Sequence, residues 1–211
     1  MDNSDNLSLN KQGSAEPIIF AFFLSGFAAL TYQLAWQRAL YRIYGINTES
    51  VTIIVSAFMF GLGMGDLFGG WFSTRKNINK LFAFALFEIG IALFGIFSLS
   101  IFEVLGGLTV KASWLETMVS AFLLVLIPTF LMGATLPILL ADLSNRLGSV
   151  GLSLSRLYYI NTFGSAVSAL LSISFLFKYL GLSGSVTAAV ILNLATAVII
   201  MAFCFNNRPQ K

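Results

Sequence analysis

Histidine is absent from the 211 residues, and cysteine occurs once, as Cys204. Without histidine, the chain has no imidazole to ligate a metal or to relay protons near neutral pH. A lone cysteine excludes an intrachain disulfide and a cysteine-based metal cluster. The sequence therefore predicts no metal site and no cofactor.

Charge is also scarce, since charged residues make up 10% of the chain, whereas soluble domains carry about a quarter. Hydrophobic residues make up 57%, and the mean hydropathy is +0.87. The basic residues are scattered, with the densest cluster at Arg75, Lys76 and Lys80, so a nucleic-acid surface is not predicted. The composition predicts an all-α polytopic membrane protein whose main partner is the lipid bilayer.

Six apolar stretches reach the roughly 20 residues needed to cross a bilayer. The predicted helices are Ile18–Leu40, Ser50–Phe72, Leu81–Leu105, Leu115–Leu139, Ser155–Phe177 and Ser185–Phe205. A polar tail, residues 1–16, precedes the membrane domain at 17–206, and residues 207–211 follow it. The N-terminal tail lacks the basic start and apolar core of a signal peptide, so the first apolar stretch is expected to be a retained anchor.

Basic residues are divided unequally between the two sides of the predicted membrane domain. Eight lie on the side of the termini, namely Lys11, Arg75, Lys76, Lys80, Arg146, Arg156, Arg208 and Lys211. Four lie on the opposite side, namely Arg38, Arg42, Lys111 and Lys178. Because cytoplasmic loops carry the excess of Lys and Arg, we predict that both termini are cytoplasmic, in the cell (inner) membrane.

Two prolines, Pro128 and Pro137, lie inside the fourth apolar stretch. Membrane helices tolerate proline where Ser or Thr side chains bond the freed carbonyls, and Thr129 and Thr135 are placed for that role. The next stretch opens with unusual polar content, which comprises Arg156, Tyr158, Tyr159 and Asn161. We interpret this region as the hinge between two three-helix repeats.

Small residues recur at every fourth position in two of the predicted helices. The stripe in the second helix is Gly61, Gly65 and Gly69, and the stripe in the fifth is Gly164, Ser168 and Ser172. Such stripes let helix backbones approach closely. The second and fifth helices hold equivalent positions in two three-helix repeats, an arrangement typical of transporters. Two interpretations stay open, packing within the chain and a homodimer interface.

Polar side chains inside the apolar stretches are the candidate functional residues, since an ionisable group within a span is costly. A cytoplasmic ion-pair cluster is favoured for the four residues Asp66, Arg75, Asp142 and Arg156. Glu88 has no basic partner at its depth, and we predict a substrate or proton site there. The other substrate-binding candidates are Gln33, Asn161 and Asn193, although a hydrogen bond between helices is the simpler interpretation of Asn193.

Aromatic residues cluster at the end of the first predicted helix. Trp36, Tyr41 and Tyr44 are typical of an interfacial aromatic belt. Arg38 and Arg42 are expected to reach outward from this belt toward the headgroups.

Three motifs are distinctive in combination. They are SGFAALTYQLAWQR at 25–38, PTFLMGATLP at 128–137 and RLYYINTFG at 156–164. Together they resemble the membrane domain of the spermidine synthase-like membrane proteins, over nearly the whole chain. In that family the membrane domain is often fused to a soluble aminopropyltransferase-like domain, and the membrane domain itself resembles half of a major facilitator transporter. The loop at 70–76 is similar to the facilitator loop signature, although Thr74 stands where its acid would be. Asp66, in the preceding helix, stands where the family is expected to have a small residue.

The resemblance does not extend to a catalytic domain in this sequence. A nucleoside-binding α/β domain needs a strand, a glycine-rich phosphate loop and an acid about 20 residues further on, and the sequence has no such pattern. We therefore expect no enzymatic activity from this chain. The leading expectation is a homodimeric half-transporter for a small solute, and the family resemblance suggests an organic cation such as a polyamine. The alternative is a non-transporting membrane subunit that anchors a separately encoded enzyme.

Overall fold

A computed structural model of the chain describes residues 15–44, 48–76, 78–109 and 112–206. Within these ranges the fold is all-α, as predicted, and contains no strand. The helices are α1 Glu16–Tyr44, α2 Thr48–Ser73, α3 Lys80–Thr109, α4 Trp114–Leu147, α5 Val150–Leu171 and α6 Gly181–Asn206. A π-helical segment, Ser172–Leu180, joins α5 to α6. Apart from Ala15 and Glu16, the predicted tails lie outside the described residues.

Local capping sets both ends of α4 and the start of α5. Ser113 and Glu116 form a capping box, in which each side chain accepts a hydrogen bond from the other residue's backbone N–H. Gly148 ends α4 with a φ of 69°, a left-handed conformation that glycine adopts without strain. Ser149 then caps α5 by accepting a hydrogen bond from the Leu152 N–H. Because α4 continues to this cap, it is eight residues longer than the predicted end at Leu139.

Five helices of the described residues are long and apolar enough to cross a membrane, and the prediction of six was too high by this measure. They are Glu16–Ile43, Ile54–Ser73, Lys80–Thr109, Leu115–Leu147 and Val150–Asn206. The last is 57 residues long, because α5, the π-helical segment and α6 follow one another without an intervening loop. By length and composition these are the helices of a multi-pass membrane protein.

α5 runs parallel to α1. Gly26 of α1 faces Asn161, and five residues further along α1 the Thr31 hydroxyl lies 2.8 Å from the Ser168 hydroxyl. Since the contacts advance in the same direction along both helices, their N-termini lie at the same end of the bundle.

α6 runs in the opposite direction to α1. The Thr196 hydroxyl donates to the Ala21 carbonyl at 3.4 Å, whereas Val186, earlier in α6, shares a buried cluster with Trp36. The chain therefore reverses between α5 and α6. Gly181 lies at this reversal with a φ of 66°, where a side chain would be strained.

The helix pairs form a symmetric pattern of packing. The most extensive contacts are α2 with α4, α1 with α5, α3 with α6, α1 with α6 and α3 with α4. The same five pairs are obtained when α1 is exchanged with α4, α2 with α5 and α3 with α6. The first three helices are therefore interleaved with the last three, rather than packed as a separate bundle.

Two glycine contacts repeat this symmetry residue by residue. A side chain on Gly26 of α1 would collide with the Asn161 carbonyl of α5, and one on Gly133 of α4 would collide with the Leu62 carbonyl of α2. Position 133 is 107 residues after position 26, and position 161 is 99 residues after position 62. The two helix pairs thus meet at corresponding positions.

The same offsets recur at a second pair of glycines. A side chain on Gly164 would collide with the Phe23 carbonyl of α1, and one on Gly65 would collide with the Phe130 carbonyl of α4. Position 164 is 99 residues after position 65, and position 130 is 107 residues after position 23. Close backbone contact between α1 and α5 therefore matches that between α4 and α2.

The small-residue stripe of α2 packs within the chain. Side chains on Gly61, Gly65 or Gly69 would collide with α4, at Thr129, Phe130 and Ala134 respectively. This face of α2 is therefore occupied by α4 and is not open to a second copy.

The stripe of α5 packs within the chain as well. Gly164 lies against α1, and Ser168 is buried between the hydroxyls of Thr31 and Ser172, at 2.8 and 3.5 Å. Of the two interpretations that the sequence left open, the geometry of both stripes matches internal packing.

The buried residues form two apolar clusters, one toward each end of the bundle. One cluster surrounds Trp36, and the other includes Ile18, Phe84 and Ile200. The outer surface is also apolar, with Leu67 and Leu170 exposed by 72% and 74%. Such a surface suits contact with lipid, where apolar side chains need no covering.

Trp36 does not form the predicted aromatic belt, because it lies in the core. It is 0% exposed, stacks on Tyr32 with 4.8 Å between ring centroids, and donates its indole N–H to the Ser98 hydroxyl at 3.0 Å. Arg38 lies over the ring of Phe177, at 3.9 Å. The belt prediction for Trp36 was wrong because the environment of a side chain depends on which side of the helix it occupies, and not only on its position along the helix.

The proline-containing helix keeps its threonines bonded to backbone, but not at the carbonyls that the prolines free. The Thr129 hydroxyl donates to the Val125 carbonyl at 2.9 Å, and the Thr135 hydroxyl donates to the Met132 carbonyl at 2.6 Å. Each acceptor is one residue away from the carbonyl four positions before the proline. The threonines therefore reinforce the neighbouring turn of the helix.

Candidate functional site

Glu88 occupies the centre of a polar layer between the two apolar clusters. Its carboxylate is 0% exposed, accepts a 2.6 Å hydrogen bond from the Ser25 hydroxyl and accepts another of 2.5 Å from the Asn193 amide. No basic residue within the described ranges pairs with it. Three helices, α1, α3 and α6, thus meet at one buried carboxyl group.

Two buried side-chain oxygens of the described residues have no hydrogen-bond partner. They are the side-chain oxygen of Asn193 and the hydroxyl of Tyr32. The Tyr32 ring packs against Gly95, where any side chain would collide with the hydroxyl. Buried polar atoms are almost always hydrogen-bonded, so the unpaired Asn193 oxygen, whose amide donates to Glu88, is suited to bind a water or a small cation.

A cavity of about 230 Å³ lies between α1, α2, α4 and α5. Its polar lining residues are Ser25, Gln33, Asp66, Thr135, Tyr158, Asn161 and Ser165, and no lysine or arginine lines it. Ser25 belongs to the cavity wall and also donates to Glu88, so one hydroxyl separates the cavity from the buried carboxylate.

Asp66 lies in the wall of this cavity and not in an ion-pair cluster. Its side chain is exposed, and no basic residue of the described ranges pairs with it. The prediction placed Asp66 with Arg75 because both are near one end of α2. In the structure Asp66 lines the cavity together with Leu136 and Asn161, and Arg75 does not line it.

The remaining members of the predicted cluster form no ion pair with one another in the described ranges, although Arg75 and Asp142 line one cavity at this end of the bundle. Asp142 pairs with Arg146, one helical turn further along α4, with a nitrogen–oxygen distance of 2.5 Å. Arg75 lies over the ring of Trp71 at 4.4 Å, and neither Arg75 nor Arg156 pairs with an acid in the described ranges. The predicted four-residue cluster is therefore wrong, since a local i,i+4 pair satisfies Asp142.

The four predicted substrate-binding residues fall into two adjacent layers. Gln33 and Asn161 line the cavity, whereas Glu88 and Asn193 are bonded to each other behind it. The interhelical hydrogen bond expected of Asn193 is confirmed, and its partner is Glu88.

Sequence reasoning missed Ser25, which connects the two layers, and Ser165, which holds α1 against α5. The Ser165 hydroxyl donates to the Gly26 carbonyl at 3.0 Å. A signal for Ser25 exists in the sequence, since it precedes Gln33 by eight residues and the two therefore share a helix face.

The described residues contain no group of three or more His, Cys, Asp or Glu side chains that could hold a metal ion. The side chains of the site offer hydrogen bonding and charge pairing by carboxyl, hydroxyl and amide groups.

No protein-family model, curated protein or solved structure matches the chain. The resemblance to spermidine synthase-like membrane proteins therefore stays a prediction.

Proposed function

We propose that the chain crosses the membrane six times and forms half of a transporter for a small cationic solute. Two copies then enclose the substrate between their cavities, with both termini in the cytoplasm. The observation that carries this proposal is the polar cavity, in which Asp66 is the one charged residue of the lining.

The packing pattern supports six passes in two inverted three-helix repeats. α5 and α6 run in opposite directions against α1, so the 57-residue apolar helix turns back on itself. The corresponding glycine contacts of α1 with α5 and of α4 with α2 are what an inverted repeat produces. Transporters built from such repeats bind substrate near the membrane midplane, between the repeats.

The charge of the cavity favours a cation. Asp66 brings a carboxylate to a wall without lysine or arginine, and Gln33, Asn161 and Ser165 add hydrogen-bonding groups for a polar substrate. Since charged groups within a span are costly, a carboxylate retained there indicates a role. The family resemblance also suggests an organic cation, and the cavity favours one through Asp66 and not through Glu88.

Glu88 takes a supporting role in this proposal. It does not line the cavity, so it acts on the substrate site through Ser25, which orients its hydroxyl by donating to the carboxylate.

A second copy of the chain is the proposed cover of the cavity. Tyr158 on α5 and Leu62 on α2 flank the cavity and are exposed by 65% and 38%. A single copy leaves Asp66 facing lipid, which is costly. The dimer contact would therefore use the open faces of α2 and α5, and not their small-residue stripes.

Transport by the purified protein in proteoliposomes tests this function. We expect uptake of labelled organic cations, including a polyamine, with little uptake of organic anions of similar size. Asp66→Asn should abolish uptake while the protein stays folded. Glu103→Gln, which neutralises an exposed carboxylate of α3 outside this cavity, should transport like the wild type.

Uptake that Asp66→Asn leaves unchanged contradicts the role of the cavity. If no class of solute is taken up and the chain purifies in a fixed ratio with a separately encoded enzyme, the non-transporting membrane subunit becomes the better interpretation.

A further inference from the structure

A second cavity, of about 440 Å³, lies at the end of the bundle where α2, α4 and α6 end and α3 begins. The turn between α2 and α3 forms one side, and the ends of α4 and α6 form the other. Its charged lining residues are Arg75, Lys76, Lys80, Asp142 and Arg146. The cavity is separate from the site around Asp66 and shares no lining residue with it.

Most of the positive charge in this cavity is unpaired. Four basic side chains and one acidic side chain give it a net of three positive charges. Asp142 already pairs with Arg146, and no acid of the described ranges pairs with Arg75, Lys76 or Lys80. An anion that enters the cavity therefore meets three cations that pair with no acid of the described ranges, while the one carboxylate of the lining, Asp142, is paired with Arg146.

Two further features fix the positive groups around the cavity. The Arg75 guanidinium lies over the ring of Trp71 at 4.4 Å, which restricts its position. α3 is 30 residues long and begins at Lys80, so the positive end of its dipole lies at the cavity. The Asn79 side chain accepts from the Phe82 N–H and caps only part of that helix start.

We propose that this cavity binds a phosphate-bearing anion. Guanidinium and ammonium groups beside a helix N-terminus are the groups that recognise phosphate in proteins. Since the cavity lies where the helices end, the phosphate comes either from the headgroup of an anionic phospholipid or from a soluble phosphate compound. This inference does not depend on the transport function.

Native mass spectrometry of the purified full chain tests this proposal. The protein is exchanged into mixtures of phosphatidylglycerol and phosphatidylcholine, and retained lipid is counted. Inorganic phosphate binding is measured separately by calorimetry in neutral detergent. The test variant is Arg75→Gln with Lys80→Gln, and the matched control is Arg156→Gln, which removes a cation of α5 outside the cavity.

The wild type is expected to retain phosphatidylglycerol selectively, or to bind inorganic phosphate. Each cation near a membrane surface contributes about a five-fold change in affinity for anionic lipid, so the double variant should bind roughly 25-fold more weakly. Retained phosphatidylglycerol without phosphate binding identifies a lipid headgroup as the source, and the converse identifies a soluble compound.

Two outcomes overturn the proposal. One is an equal loss with Arg156→Gln, which indicates diffuse surface charge instead of a cavity. The other is a wild type that binds neither probe.

Discussion

The carboxylate of Glu88 accepts a hydrogen bond from the amide of Asn193, which lies 105 residues further along the chain. In α3 this position falls between Phe84 and Ile91, and those two residues belong to different apolar clusters. The pair therefore joins α3 to α6 inside the polar layer that divides the core.

Asn193→Ala is expected to destabilise the protein by about 1 kcal/mol, because it removes one of the two hydrogen bonds to a buried carboxylate. The free energy of unfolding, measured by SDS titration in mixed micelles, checks this value. Asn206→Ala, at the exposed end of the same helix, is the control and should change stability little. Equal stability of the two variants would show that the Glu88–Asn193 bond contributes nothing measurable.

Gly65→Ala should destabilise the protein by about 1–3 kcal/mol, because the new methyl group would meet the backbone of α4 at Phe130. Gly63→Ala, two residues earlier in α2, adds the same methyl group where no atom lies within 4 Å. It should be neutral or stabilising by up to about 1 kcal/mol, since alanine favours a helix more than glycine does.

The same SDS titration compares these two alanine variants. If Gly63→Ala destabilises the protein and Gly65→Ala does not, then Gly63, and not Gly65, lies on the face of α2 that packs against α4. If Gly65→Ala dissociates a dimer without weakening the helix packing, the small-residue stripe of α2 is a subunit interface.

Ser149→Cys and Ser183→Cys, each in a Cys204→Ser background, test whether the chain reverses between α5 and α6. Both positions are exposed, at the start of α5 and near the start of α6. If the chain reverses, the two cysteines lie on opposite sides of the membrane. A membrane-impermeant thiol reagent applied to intact cells should then label position 183 and not position 149.

Labelling of both positions in intact cells, or of neither, contradicts six passes with cytoplasmic termini. Permeabilised cells provide the control, because both cysteines should then react.

Composition alone determined the class of this protein. A chain with 57% hydrophobic residues and 10% charged residues has too little polar surface for a soluble domain. The sequence also predicted that the apolar stretches form helices, since in a membrane the backbone must satisfy its own hydrogen bonds. Helix ends were less predictable, because caps such as Ser113 and Gly148 extend a helix beyond its apolar residues.

The sequence also identified several polar residues of the site, because a polar group in an apolar helix stands out. Glu88, Asn193, Gln33 and Asn161 all lie in or directly behind the cavity. What the sequence could not supply was their partners, since the Ser25–Glu88 bond spans 63 residues and the Asn193–Glu88 bond spans 105.

Tertiary structure alone decided which way each helix faces. Trp36 and Asp66 lie in helices that carry apolar residues on several sides, so the apolar pattern alone did not distinguish core from surface. Packing against neighbouring helices placed the indole of Trp36 in the core and the carboxylate of Asp66 in a cavity wall. In a membrane both faces of a helix can be apolar, so the choice between them is made by close contacts such as that of Gly65 with the backbone of α4.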